Sequence, residues 1–150
     1  MFNILVADDD QEVRTIVELS LKHSFPEVCI FHASDGKEVF RLLERERIDL
    51  VILDLLMPFS NSIEVVRKCK SNNIKVVIYT GVHDIEICKS FIRIGADDYI
   101  LKPFSISDVC DVVARIMEVE DKNRETLEIL RDKLKKISSG LSCNIEEEEK

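Results

Sequence analysis

Five short apolar runs recur along the chain at intervals of roughly 20 to 27 residues: NILVA (3–7), VCIFHA (28–33), DLVIL (49–53), KVVIY (75–79) and DYIL (98–101). Most are nearly continuous rather than alternating, the pattern of strands covered on both faces. The segments between them carry apolar residues at helical spacing. In 11–23, Val13, Ile16, Val17 and Leu21 share one face; in 37–46, Val39, Leu42 and Leu43 do so. Further helices are expected over 62–71, over 84–94 ahead of Gly95, and from Ser105, where Ser-x-x-Asp with Asp108 reads as a capping box. Strand and helix thus alternate five times. The predicted fold is α/β, a doubly wound five-stranded parallel sheet with five helices, the last one extended.

Ligands of such sheets bind beyond the carboxyl ends of the strands. The residues at those ends are polar: Asp8 and Asp9 after the first strand, Asp54 after the third, Thr80 after the fourth and Lys102 after the fifth. With the sheet in the order 2-1-3-4-5, the first and third strands are neighbours, and Asp8, Asp9 and Asp54 converge on one pocket. Three carboxylates there repel one another, and a hard divalent cation relieves the repulsion. Mg²⁺ suits this oxygen set, with waters and the backbone carbonyl of Leu56 completing its shell. Thr80 adds a hydroxyl and Lys102 a positive charge, which together suit a transferring phosphoryl group. Asp54 is then the nucleophile.

These residues carry a resemblance. The motifs ILVADDD, VILDLLMP, VVIYTG and GADDYILKPF, in this order, resemble the receiver domain of two-component response regulators over about residues 2–119. The resemblance implies that Asp54 accepts a phosphoryl group from the phosphohistidine of a sensor histidine kinase. It implies Mg²⁺ held by Asp9, Asp54 and the Leu56 carbonyl, with Asp8 ordering metal-bound water. It implies Lys102 pairing with the carboxylate and then with the phosphoryl oxygen, and a cis Lys102-Pro103 bond. Thr80 and Tyr99 become the switch: Thr80 moves to the phosphoryl group and Tyr99 turns inward. On this reading the chain catalyses its own phosphorylation and dephosphorylation but is not otherwise an enzyme. The alternative is a degenerate receiver that binds proteins without phosphorylation. A Mg²⁺-dependent phosphohydrolase of related fold typically has a second acid two residues after its nucleophile, and Leu56 stands at that position.

The neighbours of the site have simpler readings. Asp10 caps the first helix, Asp35-Gly36 turns the chain into the second, and Asp97 and Asp98 sit in a solvated loop or a surface ion pair. Two features depart from the family pattern. Asn61-Ser62 stands where most receivers have Asp-Gly, so the loop after Asp54 is expected to turn differently. Leu56 and Val82, which flank the path of the hydrolytic water in the family, are both apolar, and a long-lived phosphorylated state is expected.

Composition narrows the remaining classes. The net charge of −8 and the lack of a basic stripe argue against nucleic-acid binding by this segment. No apolar run is long enough to span a bilayer, and the N-terminus lacks the marks of a signal peptide, so a cytoplasmic location is expected. Five scattered cysteines (29, 69, 88, 110 and 143) and three separated histidines (23, 32 and 83) suggest reduced thiols and no zinc site.

The receiver is expected over 1–119, a helical linker over 120–137 and a disordered tail over 138–150. Apolar residues at 116, 119, 127, 130, 134, 137 and 141 form a heptad-like stripe, with Asn123 in the seam. This favours a homodimeric coiled coil through the last helix over a single amphipathic helix packed back on its own domain. Ser138-Ser139-Gly140 is expected to end that helix. The last thirty residues hold no helix-turn-helix, so the signal is expected to pass to a partner protein or to an output domain of a longer regulator.

Overall fold

In the computed structural model, which describes residues 1–81 and 84–148 and the side chains of these as far as 140, each apolar run forms a strand. The strands are β1 (Asn3–Ala7), β2 (Cys29–Ala33), β3 (Leu50–Asp54), β4 (Lys75–Thr80) and β5 (Asp98–Leu101). All neighbouring pairs are parallel, in the order β2-β1-β3-β4-β5. The expected fold is therefore observed. Every residue of β3 is buried, which is why this central strand reads as an unbroken aliphatic run.

The helices are α1 (Gln11–Ser24), α2 (Gly36–Arg45), α3 (Ser62–Ser71), α4 (Ile85–Ile94) and α5 (Ile106–Glu148). Four of them start on an Asp or Asn in extended conformation whose side chain accepts a hydrogen bond from a first-turn N–H: Asp10, Asp35, Asn61 and Asp84. Each such cap contributes about 1 kcal/mol. The fifth start is the expected reciprocal box, with Ser105 N–H donating to Asp108 (3.0 Å) and Asp108 N–H to Ser105 Oγ (3.2 Å). At the other end of α4, Gly95 adopts φ 131°, a conformation that side-chain-bearing residues rarely take.

In α1 and α2 burial follows the expected faces with one exception. Val17 and Leu21 of α1 are buried as expected, but Ile16 is 49% exposed. The buried stripe of α1 is narrower than the sequence suggested, and Ile16 lies in an open apolar groove with Val13, Pro103, Phe104 and Ile106. Asp97 does more than face solvent. It forms ion pairs with Lys70 and Lys75 and accepts the N–H of Val76 at 2.8 Å, tying the start of β5 to β4.

The chain divides into two units, Met1–Val112 and Val113–Lys150. The first holds the sheet and α1 to α4. In the second, Val119, Leu127, Leu130, Leu134 and Ile137 of the apolar stripe are all exposed. The helix stop expected at Ser138-Ser139-Gly140 is absent, and α5 runs to Glu148, through most of the segment expected to be disordered. One glycine costs a helix only about 1 kcal/mol. Ser139 meanwhile turns its hydroxyl back onto the Lys135 carbonyl (2.9 Å) instead of competing for the backbone. Leu141 and Cys143 have side chains outside the described residues. No helix among the described residues is long and apolar enough to cross a membrane.

Candidate functional site

The register of the sheet explains the convergence of charge at its carboxyl edge. Ala7 pairs with both Ala33 and Leu53, Asp54 with Tyr79, and Thr80 with Leu101. Asp8 thus leaves β1 beside the end of β3, and Lys102 leaves β5 beside the end of β4. Asp8, Asp9 and Asp54 each bring a carboxylate oxygen within 4.8 Å of the others. Asp8 is 1% exposed and Asp54 3%, whereas Asp9 is open to solvent. Lys102 bridges the two buried acids, with Nζ 2.9 Å from Asp8 Oδ2 and 3.4 Å from Asp54 Oδ2. Its ammonium is held above its ordinary pKa by these two carboxylates against the opposing effect of burial.

The two buried acids titrate in opposite directions. Burial pushes the Asp8 carboxyl up, but hydrogen bonds from Tyr79, the Asp10 N–H and Lys102 outweigh it and hold the group below its ordinary value. Burial raises Asp54, and its single backbone donor, Leu56 N–H at 3.1 Å, does not offset the rise. Repulsion from Asp8 adds to the same direction.

Thr80 is fully buried at the last position of β4. Tyr99, one strand over, is 37% exposed. Leu56 presents its N–H to Asp54, and its side chain is 64% exposed. The Lys102-Pro103 peptide bond is cis. Val82, expected beside the site, lies outside the described residues.

The loop that follows Asp54 makes its turn ahead of Asn61-Ser62. Its left-handed residue is Phe59 (φ 49°), and Asn61 is spent on capping α3. A bulky residue in that region costs roughly 1–2 kcal/mol, and contacts with α2 offset it. Gly36 N–H donates to the Pro58 carbonyl at 3.2 Å, and Lys37 Nζ lies 4.8 Å from the centre of the Phe59 ring. A Cβ on Gly36 would meet the Phe59 carbonyl oxygen at 2.1 Å. Gly36 is therefore more than a turn residue, because the acid loop rests against it.

Two further residues received no role from the strand-end motifs. Arg14 of α1 donates from Nη1 to the Asp8 carbonyl at 2.6 Å. Tyr79, wholly buried on β4, donates its hydroxyl to Asp8 Oδ2 at 2.5 Å. A phenol within a Val-Val-Ile run is the one signal that could have exposed it, since a buried Tyr hydroxyl requires a partner.

Similarity to known proteins agrees with this geometry. Residues 4–114 match the model of the response regulator receiver domain family. The chain belongs to that family. The receiver is 31% identical over 133 residues to the alkaline phosphatase synthesis transcriptional regulatory protein PhoP of Bacillus subtilis, covering 87% of this chain and 55% of PhoP. It is 34% identical over 102 residues to the regulatory protein VanR of Enterococcus faecium, covering 67% of this chain and 43% of VanR. Among solved structures, it resembles the BeF3-activated receiver domain of DrrB, a Thermotoga maritima protein, with a TM-score of 0.71 and 27% identity. That match covers 79% of this chain and 98% of the DrrB domain. The chain spans about half the length of the curated relatives it matches.

Family membership corrects one expectation. The chain was expected not to be an enzyme beyond catalysing its own phosphorylation and dephosphorylation, and membership overturns that exclusion, since receiver domains are phosphoacceptors with autophosphatase activity. Receiver domains also bind Mg²⁺ in their acidic pocket, and the cluster of Asp8, Asp9 and Asp54 fits a hard cation by its all-oxygen donor set.

Proposed function

We propose that this receiver takes a phosphoryl group onto Asp54 from the phosphohistidine of a sensor histidine kinase and uses it to switch partners. A carboxylate oxygen of Asp54 forms the new bond to phosphorus as the nitrogen–phosphorus bond of the donor breaks and the donor ring takes up a proton from solvent, leaving an acyl phosphate and a neutral imidazole. The observation that carries this reading is the environment of Asp54. It is buried at the end of the central strand, holds few donors, and shares one ammonium with Asp8. A sparsely hydrogen-bonded carboxylate beside a fixed positive charge is suited to attack and to having its product stabilised.

Asp9, Asp54 and the Leu56 carbonyl would hold Mg²⁺, with Asp8 ordering its waters. When bound, the metal neutralises charge on the phosphoryl oxygens. Lys102 then contacts a phosphoryl oxygen, Thr80 donates its hydroxyl to another, and Tyr99 turns inward from its exposed position. The apolar Leu56 side chain walls the approach of water without orienting it, which favours a long-lived acyl phosphate.

The receiver is assigned to 1–119, and the helical extension expected over 120–137 continues in α5 as far as Glu148. The exposed stripe of α5 supports a homodimer through that helix, and the signal passes to an output domain or a downstream protein in the cytoplasm. Incubation with acetyl phosphate and Mg²⁺, followed by intact-mass measurement and sizing, tests the reading. Wild type should gain one phosphoryl group and change oligomeric state, and Asp54→Asn should gain none. Absence of a mass change in wild type would favour the degenerate receiver.

A further inference from the structure

Tyr79 is placed where a receiver's motif residues give it no task, yet it touches three components of the site. Its hydroxyl donates to Asp8 Oδ2 at 2.5 Å, from a strand position 71 residues away in sequence. The face of its ring carries the Lys102 ammonium at 4.6 Å from the centroid. The ring also makes a T-shaped contact with Phe104, with centroids 5.7 Å apart and planes at 65°. The residue is 0% exposed, so the ring is held by packing on every side and the hydroxyl has little freedom of direction.

The acceptor is as constrained as the donor. Asp8 Oδ1 receives the N–H of Asp10 at 2.8 Å, and Oδ2 receives both Tyr79 and Lys102. Behind it, Arg14 fixes the Asp8 main-chain carbonyl. Of the donors on Oδ2, Lys102 is long, flexible and 25% exposed in its side chain, and it also reaches Asp54. Tyr79 is therefore the donor on Oδ2 that cannot leave. Partners of this kind, behind the groups that face a metal, set the orientation of those groups.

We propose that Tyr79 is a positioning residue for the metal pocket: its hydroxyl, anchored by the ring's packing, fixes the orientation of the Asp8 carboxylate toward Mg²⁺. The proposal rests on the reading of the acidic cluster as a Mg²⁺ site. It assigns Tyr79 no contact with the metal or the phosphoryl group.

Tyr79→Phe isolates the hydroxyl, because it keeps the ring that packs on Phe104 and carries Lys102. Titration calorimetry with MgCl₂ on the full chain should show about tenfold weaker binding in Tyr79→Phe than in wild type, in keeping with the loss of such a supporting hydrogen bond. In an Asp8→Asn background the same substitution should change affinity less than twofold. The chain has two tyrosines and no tryptophan, so its near-ultraviolet spectrum is assignable. Mg²⁺ should produce a tyrosine difference spectrum in wild type that Tyr79→Phe abolishes at saturating metal. Equal affinity in wild type and Tyr79→Phe would overturn the proposal, as would an equal loss in the Asp8→Asn background, which would mark a general packing effect. No Mg²⁺ binding by wild type would instead remove the metal-site reading and the proposal with it.

Discussion

The loop after β1 and the last residue of β3 each place a carboxylate at the same edge of the sheet, equally hidden from water, and their surroundings treat the two in opposite ways. Asp8 is surrounded by donors: a phenol, a main-chain N–H and an ammonium. Asp54 has one main-chain N–H and the far side of the same ammonium. Burial penalises both anions, so the number of donors decides the outcome, and it holds Asp8 below its ordinary pKa while Asp54 sits above. The first setting holds its carboxylate as an anion at neutral pH. The second keeps its carboxylate under-satisfied, with lone pairs free for an electrophile. A receiver needs both, since a site with two saturated acids would hold a cation but attack nothing.

The sharpest way to break this contrast is to remove one charge at a time. In metal-free protein at pH 7, Asp8→Asn should lower stability by about 2 kcal/mol, because an amide cannot accept from all three donors and leaves some of them buried and unmatched. Asp54→Asn should raise stability by about 1 kcal/mol, through relief of a buried, repelled carboxylate. The two variants should also differ in pH dependence. A raised Asp54 pKa means that the folded state takes up its proton first, so wild type gains on Asp54→Asn as pH falls from neutrality toward the ordinary 3.8. A lowered Asp8 pKa means that its stabilisation is complete above 3.8 and is lost as pH falls below that value through the folded pKa. Urea unfolding at a series of pH values measures both, and parallel curves for the two variants would remove the distinction.

Next in size is the shared ammonium. Lys102→Met should tighten Mg²⁺ binding about tenfold, roughly 1.4 kcal/mol, because the metal then no longer competes with an ammonium for the two buried acids. Unchanged affinity by calorimetry would mean that solvent already screens the ammonium. The smallest effect concerns the loop after β3 alone. Leu56→Glu should shorten the acyl phosphate lifetime about threefold, less than 1 kcal/mol, by giving the incoming water a polar partner. Decay followed by intact mass after removal of acetyl phosphate checks this, and an unchanged lifetime would sink the idea that the apolar wall matters.

Much of the fold could be read from local pattern. The five runs predict all five strands, the position of Asp10 ahead of an apolar helical face marks it as a cap, and strand-end position brings Asp8, Asp9 and Asp54 together. The misses share a cause. Tyr79 reaches Asp8, and Gly36 meets Phe59, only after distant segments are folded together, and periodicity within one element carries no signal of such contacts. Ile16 failed differently, since helical spacing marks a face without saying how wide its cover is. The continuation of α5 past Gly140 reflects the weakness of a single breaker against the cooperativity of a long helix.

The attachment of Gly36 to the loop after Asp54 gives the protein a built-in gauge. Only one hydrogen bond, from Gly36 to the Pro58 carbonyl, joins the start of α2 to this loop among the described backbone contacts. The deuterium exchange rate of that single amide reports how firmly the loop is seated, from a position that bears none of the site's charge. The loop's response to an event at Asp54 can therefore be timed at a place where the chemistry itself is silent.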